Sequence, residues 1–291
     1  MQFLIDHEST IRLSVFLGVF LFMATAEALV PKKKRTMPRL MRWLSNIGLV
    51  VIDGIALRLV MPILAVATAA WATSNNVGLF NLLALPQWIE WLMAVVVLDA
   101  LIYAQHVASH KIPLLWRFHK VHHADRDIDV TTGARFHPVE IIFSMLYKLL
   151  CVVLLGPAMV AVILFEVILN ASAMFNHANL SLPKNIDALM RKLIVTPDFH
   201  RVHHSIIHKE TDSNYGFFLS VWDRLFRTYI PQPQQGHAGM TIGLAELQSA
   251  KPNSIWWCLI APFISSDAVV ADALDNKQNK QNPKKQEGSN A

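Results

Sequence analysis

The chain has 291 residues, of which 53% are hydrophobic and 16% charged, and its formal net charge is +5 at pH 7. Soluble globular proteins carry about 25% charged residues, so this composition favours a membrane protein and excludes a disordered chain, a coiled coil and a collagen. The basic residues cluster beside apolar segments, which argues against a nucleic-acid-binding protein. Thirteen histidines, against four tyrosines and two cysteines, are more than packing requires.

The apolar segments, taken in chain order, predict four to five membrane spans or half-spans. Residues 11–30 predict a retained first helix, because the region before it is acidic and the basic run follows it, unlike a cleavable signal peptide. Further spans are predicted over 47–71 and 88–105. Residues 141–155 and 158–175 are each slightly short of a core about 30 Å thick, so they form two tight spans or a partly crossing hairpin. The expected fold is an all-α integral membrane helical bundle.

The distribution of Lys and Arg predicts the orientation. Residues 31–46 contain six, 73–87 contain none, 111–140 contain five, and the Gly156-Pro157 tip contains none. Alternating sides satisfy the positive-inside rule. The N-terminus is then outside, and residues 106–140 and everything after 176 form a cytosolic helical cap. A bacterial inner membrane is the expected location.

Four regions are predicted. Residues 1–98 hold the N-terminal spans, and 99–230 form a catalytic region that includes the membrane hairpin at 141–175. Residues 231–270 form a cytosolic or interfacial segment, in which 254–264, with Trp256 and Trp257, predict a short interfacial helix. Residues 271–291 predict a disordered tail, because from Asp275 onward they carry no apolar residue except the final Ala291.

Nine of the thirteen histidines occur at spacings typical of metal ligands. Residues i, i+3 and i+4 of a helix lie about 5–6 Å apart on one face, so HxxxH and HxxHH patterns bring imidazoles together. Imidazole suits Zn, Fe, Cu and Ni, and nine ligands are too many for one ion. The spacing therefore predicts two ions with open positions. The nine histidines are His106, His110, His119, His122, His123, His177, His200, His203 and His204.

Polar residues near these histidines are candidates for supporting them. Asp99 and Tyr103 continue the stripe of His106 and His110, and a carboxylate inside an apolar helix is functional by default. We expect Asp99 to accept the free N–H of a ligating histidine. Two further histidines, His137 and His208, are candidates for an extra ligand or an outer partner. The candidates for outer partners only are Glu140, Asn176, Asn179 and Asp198.

The full pattern resembles the histidine boxes of the fatty acid hydroxylase / sterol desaturase superfamily, in particular bacterial sterol-desaturase-like and alkylglycerol-monooxygenase-like members. The resemblance covers about Asp99 to Tyr229. It includes WRFHKVHH at 116–123, RFHPVE at 135–140, TPDFHRVHH at 196–204, ETDSNYG at 210–216 and WDRLF at 222–226. The chain departs from some members at Ala173, where they carry a further histidine, which leaves nine.

The resemblance implies a membrane-embedded di-iron oxidoreductase. Such an enzyme uses two Fe ions, O₂ and electrons from an external donor to hydroxylate or desaturate a lipid C–H bond. Sterol, fatty acyl chain, ether lipid and related lipids all remain open as substrate. No haem, flavin or nucleotide motif is evident, so a ferredoxin- or cytochrome-type partner is expected on the basic face. The oligomeric state is left open.

Two alternatives remain. The same boxes with Zn would make a membrane lipid hydrolase or isomerase, which needs neither O₂ nor a reductant. A metal transporter or sensor is the other alternative. A transporter would place its ligands at mid-membrane in several spans, whereas eight of the nine histidines lie at or beyond predicted span ends.

Overall fold

A computed structural model of the protein describes residues 2–61 and 63–264. Five segments are long and apolar enough to cross a membrane: Glu8–Leu29, Arg39–Leu82, Gln87–Lys111, Pro138–Leu155 and Met159–His177. Within the described residues the chain forms helices and three isolated β-bridges, but no β-strand. The predicted all-α membrane bundle is therefore confirmed. In chain order the α-helices are α1 (Gln2–Asp6), α2 (Glu8–Leu29), α3 (Arg39–Val60), α4 (Ala65–Ser74), α5 (Leu79–Leu82), α6 (Gln87–Lys111), α7 (Pro113–His123), α8 (Pro138–Leu155), α9 (Met159–His177), α10 (Lys184–Met190), α11 (Pro197–His203), α12 (His208–Thr211), α13 (Val221–Leu225), α14 (Gly236–Gly239) and α15 (Ile255–Ile260).

The second apolar segment differs from the single helix predicted over 47–71. Helix α3 starts earlier, at Arg39, and ends at Val60, and a separate helix α4 starts at Ala65. The sequence explains the break, because a residue that precedes a proline is disfavoured in helical conformation, and Met61 precedes Pro62. Helix α4 is about 15 Å long and packs against Val152 of α8 and Val162 of α9. It is a half-span rather than the continuation of α3.

The two segments without Lys or Arg meet at one end of the bundle. Asn81, in the connector between α4 and α6, donates to the carbonyl oxygen of Gly156 at 3.1 Å. Gly156 ends α8 in the left-handed conformation (φ 60°), and Gly78 lies so close that a Cβ there would be 2.3 Å from the Gly156 nitrogen. Residues with a Cβ at positions 78 and 156 would therefore not fit in this contact.

The basic segment after α2 lies at the opposite end, which we call the histidine end. Lys32 donates through its backbone to Asn179 at 3.0 Å and through its ammonium to Asp198 at 2.6 Å. Thr36 donates to Asp127 at 2.8 Å. This relative placement agrees with the predicted alternation of Lys and Arg. The side of the membrane that each end faces stays a prediction.

The predicted interfacial segment 254–264 contains α15 and a 3₁₀ turn at 261–263, and another 3₁₀ turn at 251–253 precedes it. Its two tryptophans differ, because the Trp256 residue is 75% exposed whereas Trp257 packs into a buried cluster with Leu49 and Val121. Only Trp256 has the exposure expected of an interface anchor. The boundaries predicted at 98, 230 and 270 stay predictions, and the predicted tail 271–291 lies outside the described residues.

Candidate metal centre

The histidine end brings all nine predicted histidines together in two groups. In each group the candidate ligand atoms all lie within 4.8 Å of one another. The four-histidine group is fully buried, and the five-histidine group is buried except for the partly buried His110. The five-histidine group consists of His106, His110, His119, His123 and His203, and the four-histidine group consists of His122, His177, His200 and His204.

Each HxxHH box serves both groups. On α7, His119 and His123 belong to the five-histidine group and His122 to the other. On α11 and its C-cap the division is reversed, because His203 belongs to the five-histidine group and the rings of His200 and His204 to the other. Helical spacing places the three rings of a box near each other, but the packing of α6, α7, α9 and α11 distributes them between two centres.

Backbone carbonyls fix the tautomers of several rings. The Nδ1–H of His106 donates to the Tyr215 oxygen at 2.7 Å, and that of His203 donates to the Ser213 oxygen at 2.7 Å. His177 donates in the same way to Ala173 at 2.7 Å. A carbonyl oxygen only accepts, so the proton is on Nδ1 and the Nε2 lone pair is free to bind a metal.

The Nε2 atoms of these rings face each other without a proton between them. The distance between the Nε2 atoms of His106 and His203 is 3.1 Å, and it is 3.1 Å between His122 and His177. His122 also donates through Nδ1, to Arg135 at 3.2 Å. Facing lone pairs repel unless a cation lies between them. Two nitrogens at right angles around an ion about 2.1 Å away are about 3.0 Å apart. The residues present therefore fit metal ions.

Burial keeps the imidazoles neutral. Burial, followed by the neighbouring histidines, lowers the pKa of His122, His123, His200 and His204 well below the ordinary value. Burial lowers the pKa of His203 to about 3. In His123 and in His204, neither Nδ1 nor Nε2 has a hydrogen-bond partner among the described residues. A donor set of neutral nitrogens suits Fe, Zn, Cu or Ni rather than Mg or Ca.

Glu140 lies where a supporting carboxylate is expected, because the Nδ1–H of His119 donates to its Oε1 at 2.6 Å. The prediction for Asp99 is wrong in its target. Asp99 accepts from the backbone of Phe218 and Leu219 at 3.2 and 3.1 Å and from the Trp222 indole at 2.8 Å. It therefore anchors the loop 213–220 instead of a histidine ring.

The other candidates lie around the groups and not in them. Asn176 donates to the Phe217 oxygen at 2.9 Å and so supports the same loop as Asp99. Tyr103 shares a hydrogen bond with Thr228, which lies beyond that loop. Asp198 pairs with Lys32 at 2.6 Å and with Arg201.

His137 and His208 are not members of either group. His137 caps α8 by accepting from Val139 at 3.1 Å, and its Nε2 donates to the Leu259 oxygen at 3.1 Å. The His208 side chain is 91% exposed and lies 3.7 Å from Asp212. The candidate centre therefore contains nine histidines, and neither residue supplies a tenth.

Sequence reasoning gave no role to Asn214 and Asp223, which hold the loop that orients His106 and His203. Asp223 accepts from the backbone of Tyr215 at 2.8 Å and of Gly216 at 2.7 Å. Asn214 adopts a left-handed conformation (φ 52°) and donates to the Phe199 oxygen at 2.8 Å. Asn tolerates the left-handed conformation better than most residues. The sequence signal for this conformation was an Asn followed by an aromatic residue and a glycine.

A network of ion pairs and hydrogen bonds supports the loop that carries Arg135, whose carbonyl orients His122 of the four-histidine group. Arg42 on α3 donates to Asp125 at 2.7 and 2.8 Å and to Asp129 at 2.6 Å. Burial raises the pKa of Asp125, but the Arg42 guanidinium outweighs burial and holds it well below its usual range. Arg135, whose carbonyl orients His122, donates to Asn46 at 2.7 Å. These contacts fix the loop between α7 and α8 against α3.

Two adjoining cavities lie next to the five-histidine group. The first, cavity 1, has a volume of about 170 Å³, and His106 and His119 are in its wall. The second, cavity 2, has a volume of about 290 Å³ and is lined by α6, α7 and α8. The two share Gln105, Ser109 and Glu140. Together they are within the size range of ligand sites, about 300–1,000 Å³.

The fold and the site define a helical membrane protein with a candidate metal centre made of histidines. Comparison with known families gives a more specific assignment. The Fatty acid hydroxylase family model matches residues 91–228, so this part of the chain is similar to that family. The resemblance seen in the sequence is confirmed.

The similar characterised proteins are lipid hydroxylases and monooxygenases. The chain is 26% identical over 251 residues to ornithine lipid hydroxylase OlsE of Rhizobium tropici, which covers 82% of this chain and 75% of that protein. It is 30% identical to the alkylglycerol monooxygenases of Xenopus tropicalis, over 57% of this chain, and Danio rerio, over 68%. It spans only 36% and 43% of those two proteins. No solved structure gave a significant match.

Proposed function

We propose that the protein is a membrane-bound di-iron enzyme that uses O₂ and two external electrons to hydroxylate a C–H bond of a lipid. The observation that carries this proposal is the pairing of Nε2 lone pairs about 3 Å apart in two adjacent groups. The names of the similar proteins favour hydroxylation over desaturation.

In this proposal each group of histidines holds one iron. When bound, the irons supply the activation of O₂ and the oxidation of the C–H bond, with the overall balance RH + O₂ + 2e⁻ + 2H⁺ → ROH + H₂O. The protein contributes neutral imidazoles held by Ser213, Tyr215 and Ala173 carbonyls, so that the ligands do not need to reorganise on binding. Since His106 and His119 line cavity 1, the lipid meets the five-histidine group.

We further propose that the histidine end faces the cytosol of a bacterial cell and that the N-terminus is outside. The support is the positive charge of residues 31–46 and 111–140, which carry eleven Lys and Arg between them. The same charge favours an electron donor with an acidic surface, of the ferredoxin or cytochrome type.

Metal content and oxygen dependence test the proposal. Protein purified from membranes without chelators should contain about two irons per chain and should consume one O₂ for each lipid hydroxylated. His122→Ala and His203→Ala should remove iron and activity together, because each disrupts a different group.

Full turnover under anaerobic conditions with Zn would replace this proposal with a hydrolase or isomerase. Metal flux across vesicles without lipid oxidation would indicate a transporter.

A further inference from the structure

We propose that Tyr215 and Tyr103 form a one-electron relay that protects the five-histidine group when O₂ is reduced without a lipid. This inference rests on the proposed function, because the iron that the relay protects is part of that proposal. It follows from a buried tyrosine whose ring packs against three candidate ligands, and from a second tyrosine that connects the first to the surface.

The Tyr215 ring packs against the five-histidine group. Its centroid lies 5.6 Å from that of His106, 5.1 Å from that of His110 and 5.5 Å from that of His203, and each pair of rings is steeply inclined. Aromatic rings with this separation and inclination are in contact. Only the imidazoles themselves therefore separate the phenol ring from a metal bound by this group.

Packing does not explain the hydroxyl of Tyr215. The side chain is fully buried, and although the Asp212 carboxylate lies near it, the hydroxyl forms no hydrogen bond of ordinary geometry with any described residue. A buried hydroxyl without a partner costs about 1–3 kcal/mol, so phenylalanine would fill this space with a smaller penalty. A phenol, unlike the phenylalanine ring, loses one electron readily. The hydroxyl therefore indicates a redox role.

Tyr103 lies on the side of Tyr215 away from the histidines. The two rings are edge to face, with their centroids 6.3 Å apart. The Tyr103 hydroxyl is 2.8 Å from that of Thr228, which itself donates to Asp223 at 2.6 Å. Because Thr228 uses its own proton in the second bond, Tyr103 is the donor in the first. A tyrosine releases its proton when it is oxidised, so this bonded acceptor favours a radical on Tyr103.

The relay ends at the surface of the protein. The Phe226 ring stacks on that of Tyr103 with their centroids 5.4 Å apart, and Phe226 is 59% exposed. An external reductant at this position is separated from Tyr103 by a single ring. The two tyrosines thus connect a buried centre with a place where an electron can be returned.

The electrons balance in one-electron steps. Hydroxylation takes two electrons from the lipid, whereas O₂ reduced without a lipid needs all four from elsewhere, in O₂ + 4e⁻ + 4H⁺ → 2H₂O. Tyr103 gives one electron through Tyr215 to the five-histidine group and passes its proton to Thr228, whose proton moves to Asp223. The external donor then reduces the Tyr103 radical, which takes the proton back. Two such cycles supply the two electrons that the missing lipid does not.

Trp116 is the competing candidate for this role. The centroid of its ring lies 5.0 Å from that of His110 and 5.5 Å from that of His123. The bonded route for the Tyr103 proton favours the tyrosines, and the experiment separates the two kinds of radical.

The test uses the full-length, iron-loaded protein in amphipol, reduced and then exposed to O₂ without a lipid substrate. Samples frozen within milliseconds are examined by electron paramagnetic resonance, in parallel with protein that carries ring-deuterated tyrosine. Deuterium narrows the signal of a tyrosyl radical and leaves that of a tryptophanyl radical unchanged. After repeated exposures, peptide mass spectrometry measures oxidation of the histidines.

We expect a tyrosyl radical in the native protein and its loss in Tyr215→Phe. In this variant the three histidines that the ring contacts should become more oxidised, because the relay no longer reaches them. The substitution keeps the ring and removes no hydrogen bond of ordinary geometry, so iron content and melting temperature should not fall.

The proton route gives a second, milder variant. Thr228→Val keeps both tyrosine rings but removes the acceptor of the Tyr103 proton, so the radical should be weaker and shorter-lived. Tyr229→Phe is the matched control, because its ring stacks on Phe199 and not on a histidine, and it should keep the native signal.

A native protein that binds iron and consumes O₂ but forms no tyrosyl radical overturns the inference. An unchanged signal or unchanged histidine oxidation in Tyr215→Phe does so as well, and so does a signal that ignores deuteration and disappears in Trp116→Phe. If Tyr215→Phe does not fold, an unchanged radical lifetime in Thr228→Val overturns the relay. A native protein that binds no iron or consumes no O₂ contradicts the proposed function, and the relay falls with it.

Discussion

The two histidine groups have the same ligand chemistry but different surroundings. The five-histidine group has His106 and His119 in the wall of cavity 1. None of the four-histidine group lines either cavity. The comparison indicates that one group borders a cavity and that the other is enclosed by protein.

The groups also differ in what orients their rings. In the four-histidine group, His177 donates to a carbonyl of its own helix α9, and His122 donates to Arg135 in a loop fixed by ion pairs. In the five-histidine group, His106 and His203 also donate to carbonyls, but His119 donates to the side chain of Glu140. A side-chain carboxylate adjusts more easily than a backbone carbonyl, so His119 has the more adaptable support.

The adjacent residues His203 and His204 give the largest test, because they belong to different groups. We expect His203→Ala and His204→Ala each to lower activity by more than about 100-fold, since even outer partners of metal ligands contribute 10–100-fold. Iron per chain, measured by mass spectrometry of the metal, should fall in both. His208→Ala is the control, because its exposed ring is outside both groups, and it should keep full iron and activity. Retention of two irons by either variant would falsify the assignment of that histidine.

The carboxylate that only the five-histidine group uses gives the next largest effect. Glu140→Gln replaces the acceptor of His119 with a neutral amide, and it should weaken iron binding by about 10–100-fold at one of the two sites. A titration with Fe(II) should then show one tight and one weakened site per chain. Glu246→Gln alters an exposed carboxylate and should titrate like the native protein. Equal weakening of both sites would remove the distinction between the groups.

Acidification tests what the groups share. Burial lowers the pKa of His203 to about 3, below its ordinary value, so between pH 6.5 and 3 the unfolded chain binds a proton that the folded chain does not. Stability of the chelator-treated protein should therefore fall as pH decreases through this window, by about 1.4 kcal/mol per pH unit for this ring alone. Melting temperatures at pH 7.5 and 5.5 measure the loss, and iron-loaded protein should lose less. A chelated protein that is equally stable at both values would contradict the neutral, buried state of the ring.

Local spacing explains how much of the centre the sequence predicts. Helical geometry alone brings His119, His122 and His123 together, and the patterns of apolar residues and of Lys and Arg give most spans. The division of each box between two groups depends on how four helices pack, which no local pattern specifies. The target of Asp99 depends on a loop about 120 residues away in the sequence. Asp223 holds the same loop from the residues that follow it, through backbone groups that no side-chain pattern marks.

The smallest expected effect concerns cavity 2. Ala108 lines cavity 2 but not cavity 1, and Ala108→Leu fills part of cavity 2, which we expect to hold the alkyl chain of the lipid. Overpacking of this kind costs about 1–3 kcal/mol, so KM for a long-chain lipid should rise about fivefold or more while iron content and kcat change little. A lipid with a much shorter chain should be affected less, because it does not need the filled space. Gly18→Leu places the same side chain on α2, where an added Cβ meets nothing within 4 Å, and should leave KM unchanged. If Ala108→Leu instead removes iron or lowers kcat with every chain length, cavity 2 supports the centre and does not hold the chain.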